Sequence, residues 1–418
     1  MSYNEKWLFP KLKLFQSKLN ALEVETELVE RKNNKTAEGT EYPPVLFGEL
    51  IVDEGFRTIC VYGHVDSSTI NEDDTKKDGG LGGKGALLSW LMALKVYSAT
   101  KNEVPVNVKF IVEGLAESSS PTLQDVLSRK KEFFIDVDYV CLAIDKKIVE
   151  TPCLRYGYRG VCHFSLDINC AENDIDSEKY AGAFDQPLMD AVHLVSSLMD
   201  KHDKLAAPNL MKDVVGPSMQ EEEAIKNMNV NTEDLKRKIG VRKLRHKGIE
   251  SRIVIHNSRL PSVSIHSFET KTNHTDPHNF TMIPCRTIVK FSISLVKNQI
   301  AADTHAQVES HIKQVWDRMK KVNEYQLKMD KGIDPWKEEP THSNYRAAAE
   351  AIKSIYQQEP LYVCDGRSFP AVPILKSASY PCNMLVLSLS EPGGSVPIES
   401  LLKNVKVIMT YMCNVNEL

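Results

Sequence analysis

The sequence VYGHVD at residues 61–66 and the sequence VEGLAESS at residues 112–119 decide how this chain is expected to fold. Each contains or directly follows an apolar run with the character of a buried strand. Polar residues directly after such strands lie at the carboxyl edge of an open α/β sheet, where these folds build their binding sites. The two stretches therefore predict neighbouring strands that carry His64, Asp66 and Glu117 to one edge of a sheet.

Composition indicates an ordinary globular protein. The chain has 418 residues, which is more than one hydrophobic core usually supports, so we expect two domains. Apolar residues make up 42%, charged residues 26%, and the net charge is −4. Charge this small and evenly spread argues against nucleic acid or a membrane surface as a partner. No run approaches the roughly 20 apolar residues of a membrane span.

Cysteine usage and the first residues bear on the compartment. Nine cysteines are scattered without a Cys-x-x-Cys pair, so neither a zinc knuckle nor a disulfide framework is readable. Most lie inside apolar runs and are expected to be buried, reduced thiols. The first residues, MSYNEK, show no signal-peptide pattern. We therefore predict a cytoplasmic protein.

Alternating patterns predict the fold class. Through the first third, strand-like runs alternate with helical patterns, which indicates a mostly parallel sheet covered by helices. From about Asn169 to Lys331 acidic and basic stretches precede strand-like runs and an amphipathic helix over residues 304–322, which indicates an inserted α+β unit. The basic run Lys236–Lys247 is interpreted as a solvated helix face; a ligand site is the weaker alternative.

The residue types at the two strand ends favour metal chemistry. A neutral imidazole such as His64 binds metal, and a carboxylate such as Asp66 can fix its tautomer and orientation. Glu117 adds a second possible ligand at the next strand end. Ala116, however, stands where a hydrolytic metal site most needs another carboxylate.

Three segments resemble the M20 metallopeptidases, and most closely their cytosolic nonspecific dipeptidase and carnosinase branch. They are YGHVD at 62–66, PVNVKF followed by EGLAES at 105–118, and FFIDVDYVC at 133–141. The resemblance implies an α/β catalytic domain with a mostly parallel sheet flanked by helices and a two-metal site, formed by residues 1–165 and 332–418. It also implies an inserted α+β lid and dimerisation domain at residues 166–331, and a homodimer formed through that lid.

Carried over residue by residue, the resemblance leaves much of the family's site replaced. The histidine ligand His64, its partner Asp66 and the glutamate ligand Glu117 remain. The other metal and base positions are substituted: the bridging aspartate by Gly82-Gly83, the general base by Ala116, an aspartate ligand by Ile144 with Asp145 one place away, and the last histidine ligand by Ser395.

Positions that would hold substrate are replaced as well. They are the lid histidine, now Asp176; the carboxylate-binding arginine, now Ser294; and the loop Arg-Glu-Gly-Gly-Ser, now CDGRS at residues 364–368. His274 and His278 match no ligand position of the family and are interpreted as surface residues.

These substitutions predict a protein that has lost two-metal binding and peptide hydrolysis. We expect no cofactor, or at most one weakly held Zn or Mn ion at His64 and Glu117, with Asp145 a doubtful third ligand. Such a protein would be a non-catalytic binding or regulatory homodimer whose partner is a peptide-like ligand or an active paralogue. The alternative is a residual or repurposed one-metal hydrolase that uses His64 and Glu117, because removing a general base costs about 10²–10⁴-fold and need not abolish a reaction.

Overall fold

The computed structural model describes residues 8–35, 41–66, 85–116, 119–144, 151–200, 205–206, 208–228, 230–270, 281–388 and 398–418. The strands, in chain order, are β1 Glu25–Val29, β2 Val45–Leu50, β3 Thr58–His64, β4 Asn107–Glu113, β5 Tyr139–Leu142, β6 Cys153–Tyr158, β7 Gly160–Asn169, β8 Ile175–Asp176, β9 Ser262–Thr270, β10 Met282–Ile283, β11 Arg286–Leu295, β12 Glu324–Ile333, β13 Trp336–Lys337, β14 Leu361–Asp365 and β15 Asn383–Ser388.

The α-helices, in chain order, are α1 Leu8–Asn20, α2 Gly85–Thr100, α3 Pro121–Arg129, α4 Ser177–Tyr180, α5 Pro187–Ser196, α6 Met219–Lys226, α7 Thr232–Ile239, α8 Glu250–Arg259, α9 Ala301–Met319, α10 Ser343–Tyr356, α11 Ala371–Ala378 and α12 Ile398–Asn416. Short 3₁₀ turns cover Lys131–Phe134, Pro208–Met211 and Arg245–Gly248.

A nine-stranded sheet forms the larger core. Its order is β1-β2-β4-β3-β5-β15-β6-β13, with β14 also paired to β6. The four central strands β4, β3, β5 and β15 run parallel, and every residue of β3 and β4 is buried. Helices α1, α2, α10 and α12 cover one face, and α3 and α11 cover the other. Burial on both faces explains why these strands are continuous apolar runs rather than alternating ones. The predicted α/β class with a parallel centre is confirmed.

Close packing at Gly63 fixes the helix that follows β3. A Cβ at this position would lie 2.7 Å from Cδ1 of Leu87, so α2 can approach the end of β3 because the residue there is glycine. Trp90, on the same helix, is fully buried and packs edge-on against Tyr411 of α12. The carboxyl end of β3 is therefore held against a rigid helical layer.

A second, antiparallel sheet has the order β12-β7-β11-β9. Alternate residues of β7 and β11, including the stacked rings of Phe164 and Phe291, point into a core covered by α5 and α9. This is the α+β unit expected within the chain. Its predicted limits at residues 166 and 331 remain a prediction; β7 and β12 each continue across one of them.

The structure corrects the interpretation of the basic run as a solvated helix face. The basic run Lys236–Lys247 is not one helix face, because α7 ends at Ile239 and Gly240 follows with a φ of +76°. The Lys236 and Arg237 side chains pair with Glu233 and Asp234 on the same helix.

Among the described residues, no helix combines the length and apolar character needed to cross a membrane.

Candidate functional site

His64 and Asp66 form a buried pair at the carboxyl end of β3. Nδ1 of His64 lies 2.7 Å from Oδ1 of Asp66, and the His64 residue is only 3% exposed. A carboxylate on one ring nitrogen fixes the tautomer and directs coordination to the other nitrogen, which is the usual arrangement of a metal-binding histidine. The geometry therefore fits the predicted roles of both residues, although no ligand identity follows from it alone.

Glu113 is a buried carboxyl beside this pair. It ends β4, is matched in register with His64 across the parallel ladder, and accepts a backbone hydrogen bond from Val65 at 2.9 Å. Its Oε1 accepts hydrogen bonds from Tyr62 Oη and from Ser120 Oγ, the latter at 2.7 Å. Its Oε2 is buried and has no hydrogen-bond partner among the described residues. Sequence analysis missed Glu113, although its position at the last residue of a strand matches that of His64.

The electrostatic environment of Glu113 is unfavourable to its charged form. Burial, the largest influence, raises the pKa of Glu113 to about 7. Hydrogen bonds from Tyr62 and Ser120 lower the pKa, the negative charge of Asp66 raises it, and His64 lowers it. Glu113 therefore titrates near neutral pH within the same group of side chains as the His64–Asp66 pair.

The turn that follows β4 is strained. Ser119 and Ser120 have φ values of 104° and 49°, a region that residues other than glycine rarely adopt. Ser120 is fully buried and begins α3, where its hydroxyl bonds Glu113 rather than the helix backbone. Strain of this kind persists where surrounding contacts enforce it, and it clusters at binding sites.

Ala116 and Ile144 lie in an apolar environment. They are 0% and 3% exposed and belong to one hydrophobic cluster with Tyr62, Leu123 and Phe369. Both occupy positions at which the resemblance implies a carboxylate. Two places of the expected site are therefore filled by hydrocarbon that packs into the core.

The loop before α11 closes over the same region. The ring of Phe369 lies 5.8 Å from the ring of His64 and 6.4 Å from that of Tyr62, centroid to centroid. The ring of Tyr158 also lies beside Phe369, at 6.1 Å centroid to centroid. This aromatic wall shields His64 from solvent and was not anticipated from the sequence.

The substrate positions expected from the resemblance have the following surroundings. Asp176 caps α4 by accepting a hydrogen bond from the Glu178 backbone at 2.9 Å. Ser294 lies in β11, between Val161 and Ser262 of the flanking strands. Within residues 364–368, Arg367 forms a two-point contact with Asp365 at 3.1 and 2.6 Å. Burial alone would raise the pKa of Asp365, but Arg367 and Arg155 together lower it below its usual value.

Several predicted positions lie outside the described residues. They are Gly82, Gly83, Glu117, Asp145, His274, His278 and Ser395. In the part of the chain that the structure describes, no three His, Cys, Asp or Glu side chains are grouped so as to hold a metal ion. The described residues thus supply one histidine with ligand geometry, and the roles of Glu117 and Asp145 stay predictions.

Known proteins resemble this chain in both sequence and fold. No family model matches the chain. The human protein named Beta-Ala-His dipeptidase is 30% identical over 361 residues, which cover 82% of this chain and 71% of the relative. The structure of the Sulfolobus solfataricus M20 family metallo-carboxypeptidase Sso-CP2 superposes with a TM-score of 0.82 over 98% of this chain and 94% of its own, at 20% identity. The chain belongs to the M20 metallopeptidase family. A further M20 relative, the Schizosaccharomyces pombe Cys-Gly metallodipeptidase dug1, is 25% identical over 395 residues, 88% of this chain and 82% of its own length.

Membership of the M20 family corrects one expectation. The prediction of no cofactor, or of at most one weakly held Zn or Mn ion, is wrong, because the M20 family depends on divalent metals. The Schizosaccharomyces pombe relative, which the alignment covers over 82% of its length, is named a metallodipeptidase. His64, oriented by Asp66, has the donor chemistry to serve as a ligand. In such enzymes the bound metal supplies an activated water and polarises the scissile carbonyl.

Proposed function

We propose that this M20 protein binds divalent metal and a dipeptide-like ligand but does not hydrolyse the peptide bond. The observation that supports the proposal is the burial of Ala116, which the resemblance assigns to the general-base position, in one apolar cluster with Ile144. A methyl group cannot accept a proton, and loss of a general base typically costs about 10²–10⁴-fold in rate. The retained His64–Asp66 pair supports metal binding without supplying that proton transfer.

The alternative function is a residual hydrolase that uses one metal at His64 and Glu117. The intact pair at His64 and Asp66 favours it, because a relaxed site has no need to keep an oriented, buried imidazole. The same experiment separates the two functions, because only a hydrolase consumes its ligand.

Steady-state assays on metal-loaded protein test the proposal. The dipeptides named in the relatives, β-Ala-His and Cys-Gly, are the first substrates to try, each with added Zn²⁺ or Mn²⁺. We expect binding of the dipeptide by calorimetry and no product above that formed by a His64→Ala variant. Turnover that requires metal and disappears in His64→Ala would instead establish the residual hydrolase.

We also propose that the protein is a homodimer formed through residues 166–331. Support comes from β9, one of the two edge strands of the four-stranded sheet, on which Ile265 and Phe268 are 43% and 40% exposed. An uncovered edge strand with large apolar side chains can pair with another chain.

Light scattering tests the homodimer. The measured mass should be twice the chain mass of 47.1 kDa, and the double change Ile265→Lys, Phe268→Glu should reduce the measured mass to that of one chain. Val322→Lys, at an exposed site outside β9, is the control; pairing only with an active paralogue would contradict the homodimer.

We propose a cytoplasmic location on the basis of the cysteine thiols. None of the nine cysteines forms a disulfide, and five of them are buried: Cys60, Cys141, Cys153, Cys162 and Cys285. Disulfides are rare in reducing compartments. Fractionation of cells that express the tagged protein tests this directly, and recovery in a secreted fraction would contradict it.

A further inference from the structure

A groove runs between helices α3 and α11 and is closed on one side by Lys331–Asp334, where β12 ends. Its volume is about 590 Å³, within the range of about 300–1,000 Å³ usual for small-molecule sites. The lining contains none of His64, Asp66, Glu113 and Ala116. We call this cavity the α3–α11 groove.

The lining of the α3–α11 groove is partly apolar and partly polar. Leu127 of α3 and both Pro373 and Ile374 of α11 contribute hydrocarbon. Ser128 and Ser377, which are exposed, contribute hydroxyl groups. A ligand in such a groove can place an apolar body on the hydrocarbon and a polar group against the hydroxyls and charges.

Lys331 is the charged group that distinguishes this groove. Its side chain is half-buried, and burial lowers its pKa below the usual value for lysine. Three other partly or fully buried lysines, Lys109, Lys321 and Lys337, each lie within 3.1 Å of a carboxylate oxygen. Lys331 forms no ion pair and no side-chain hydrogen bond within the described ranges. Its side chain is therefore partly shielded from water with no carboxylate to compensate, which disfavours the charged amine.

The acidic residue that lines the groove and the one that precedes Lys331 in sequence are both engaged elsewhere. Asp334, which also lines the groove, accepts a hydrogen bond from the Ala301 backbone at 2.8 Å, at the start of α9. Asp330, adjacent in sequence, accepts a hydrogen bond from Ser165 and pairs with Lys328 at 3.1 Å. Neither carboxylate neutralises Lys331, and Lys131 adds a second positive charge to the lining.

We propose that the α3–α11 groove is a second ligand site, specific for a small organic carboxylate with an apolar body. The carboxylate would pair with the ammonium group of Lys331, and the hydrocarbon would cover Leu127 and Ile374. Lys331 lines the groove together with the hydrocarbon of Leu127 and Ile374. An anion with an apolar body therefore fits this lining better than a bare phosphate, which has no hydrocarbon to place against it.

Calorimetric titration with octanoate tests the proposal on the full chain. We expect saturable binding that weakens about tenfold or more in Lys331→Met, because the charge-assisted contact is lost. Lys331→Arg should keep binding within a few fold. Lys328→Met is the matched control, since that lysine lies on the same strand but is exposed and outside the groove, and it should leave binding unchanged. Octanamide, which has the same length without the charge, should bind at least tenfold more weakly.

A second variant separates loss of binding from loss of folding. Ser377→Phe places a ring in the groove from an exposed position and leaves Lys331 intact, so it should block octanoate while thermal unfolding stays close to wild type. Absence of saturable binding to wild type at millimolar octanoate would overturn the proposal. So would binding that survives both Lys331→Met and Ser377→Phe.

Discussion

Ala116 and Ile144 are both buried in one apolar cluster, and they follow β4 and β5, the two strands that flank β3 and its terminal His64. In the family to which this chain belongs, both positions are expected to hold carboxylates. The hydrocarbon side chains at these positions belong to the hydrophobic core that α3 and α11 cover.

Restoring a carboxylate at position 116 should therefore destabilise the protein without creating an enzyme. Ala116→Glu would bury an acid in an apolar cluster, and we expect the free energy of unfolding to fall by about 2–3 kcal/mol. Urea unfolding measures this, with Ala183→Glu at an exposed position as the control. A stable Ala116→Glu protein with metal-dependent peptidase activity would show that only the base is missing.

Metal affinity should depend on the His64–Asp66 pair. Removing the carboxylate in Asp66→Asn leaves the imidazole without its orienting partner and should weaken binding of Zn²⁺ about 10–100-fold. His64→Ala should weaken it further, because a ligand is lost. Competition with a metal-sensitive dye gives the affinities, and His193→Ala, an exposed histidine on α5, is the control. Equal affinity in all four proteins would place the metal elsewhere.

Glu113 should make stability depend on pH in a defined direction. Its pKa is about 7 in the folded protein and about 4.5 when unfolded, so the unfolded chain releases the proton first as pH rises. The contribution of Glu113 to the free energy of unfolding is fully present below about pH 4.5 and is lost as the pH rises through 7. Relative to wild type, Glu113→Gln should thus gain up to about 3 kcal/mol between pH 4.5 and pH 8.

Urea unfolding at several pH values in a chelating buffer measures this gain, since the chelator removes any cation that would bias the carboxyl. Glu132→Gln, at an exposed position, is the control and should follow the wild-type pH dependence. A pH-independent difference between Glu113→Gln and wild type would contradict the account of Glu113.

Glu221 should show the opposite pH dependence. Burial alone would raise its pKa, but contacts with Lys337, Ser218, Arg259 and Tyr156 hold the pKa at about 2. A lowered pKa gives stability that is present above about pH 4.5 and lost as pH falls towards 2. Glu221→Gln should cost about 2 kcal/mol at pH 7 and almost nothing near pH 2. Glu223→Gln, exposed on the same helix α6, is the control, and an equal loss in both variants would exclude the ion pairs as the cause.

The sequence predicted the parallel centre of the large sheet well, because β3 and β4 are continuous apolar runs that end in polar residues. It did not reveal β12, whose residues alternate between exposed and half-buried and are rich in charge. Such a strand is stabilised mainly by its pairing with β7, which is a tertiary contact.

Within the site, the sequence predicted the His64–Asp66 pair because a carboxylate two residues after a histidine can reach its ring. The partners of Glu113 could not be predicted in the same way. Tyr62 reaches it from the neighbouring strand, and Ser120 reaches it only because the turn at Ser119 adopts a left-handed backbone. Residue type alone does not encode that conformation, since serine rarely adopts it.

Recovery of the ligand shows whether the protein binds dipeptide without cleaving it. Metal-loaded protein is mixed with an equal amount of β-Ala-His, incubated for many hours, then denatured, and the small molecules are analysed by mass spectrometry. The account predicts that intact dipeptide is recovered in full, as it is from the His64→Ala variant. Free β-alanine and histidine, formed by wild type but not by His64→Ala, would contradict it.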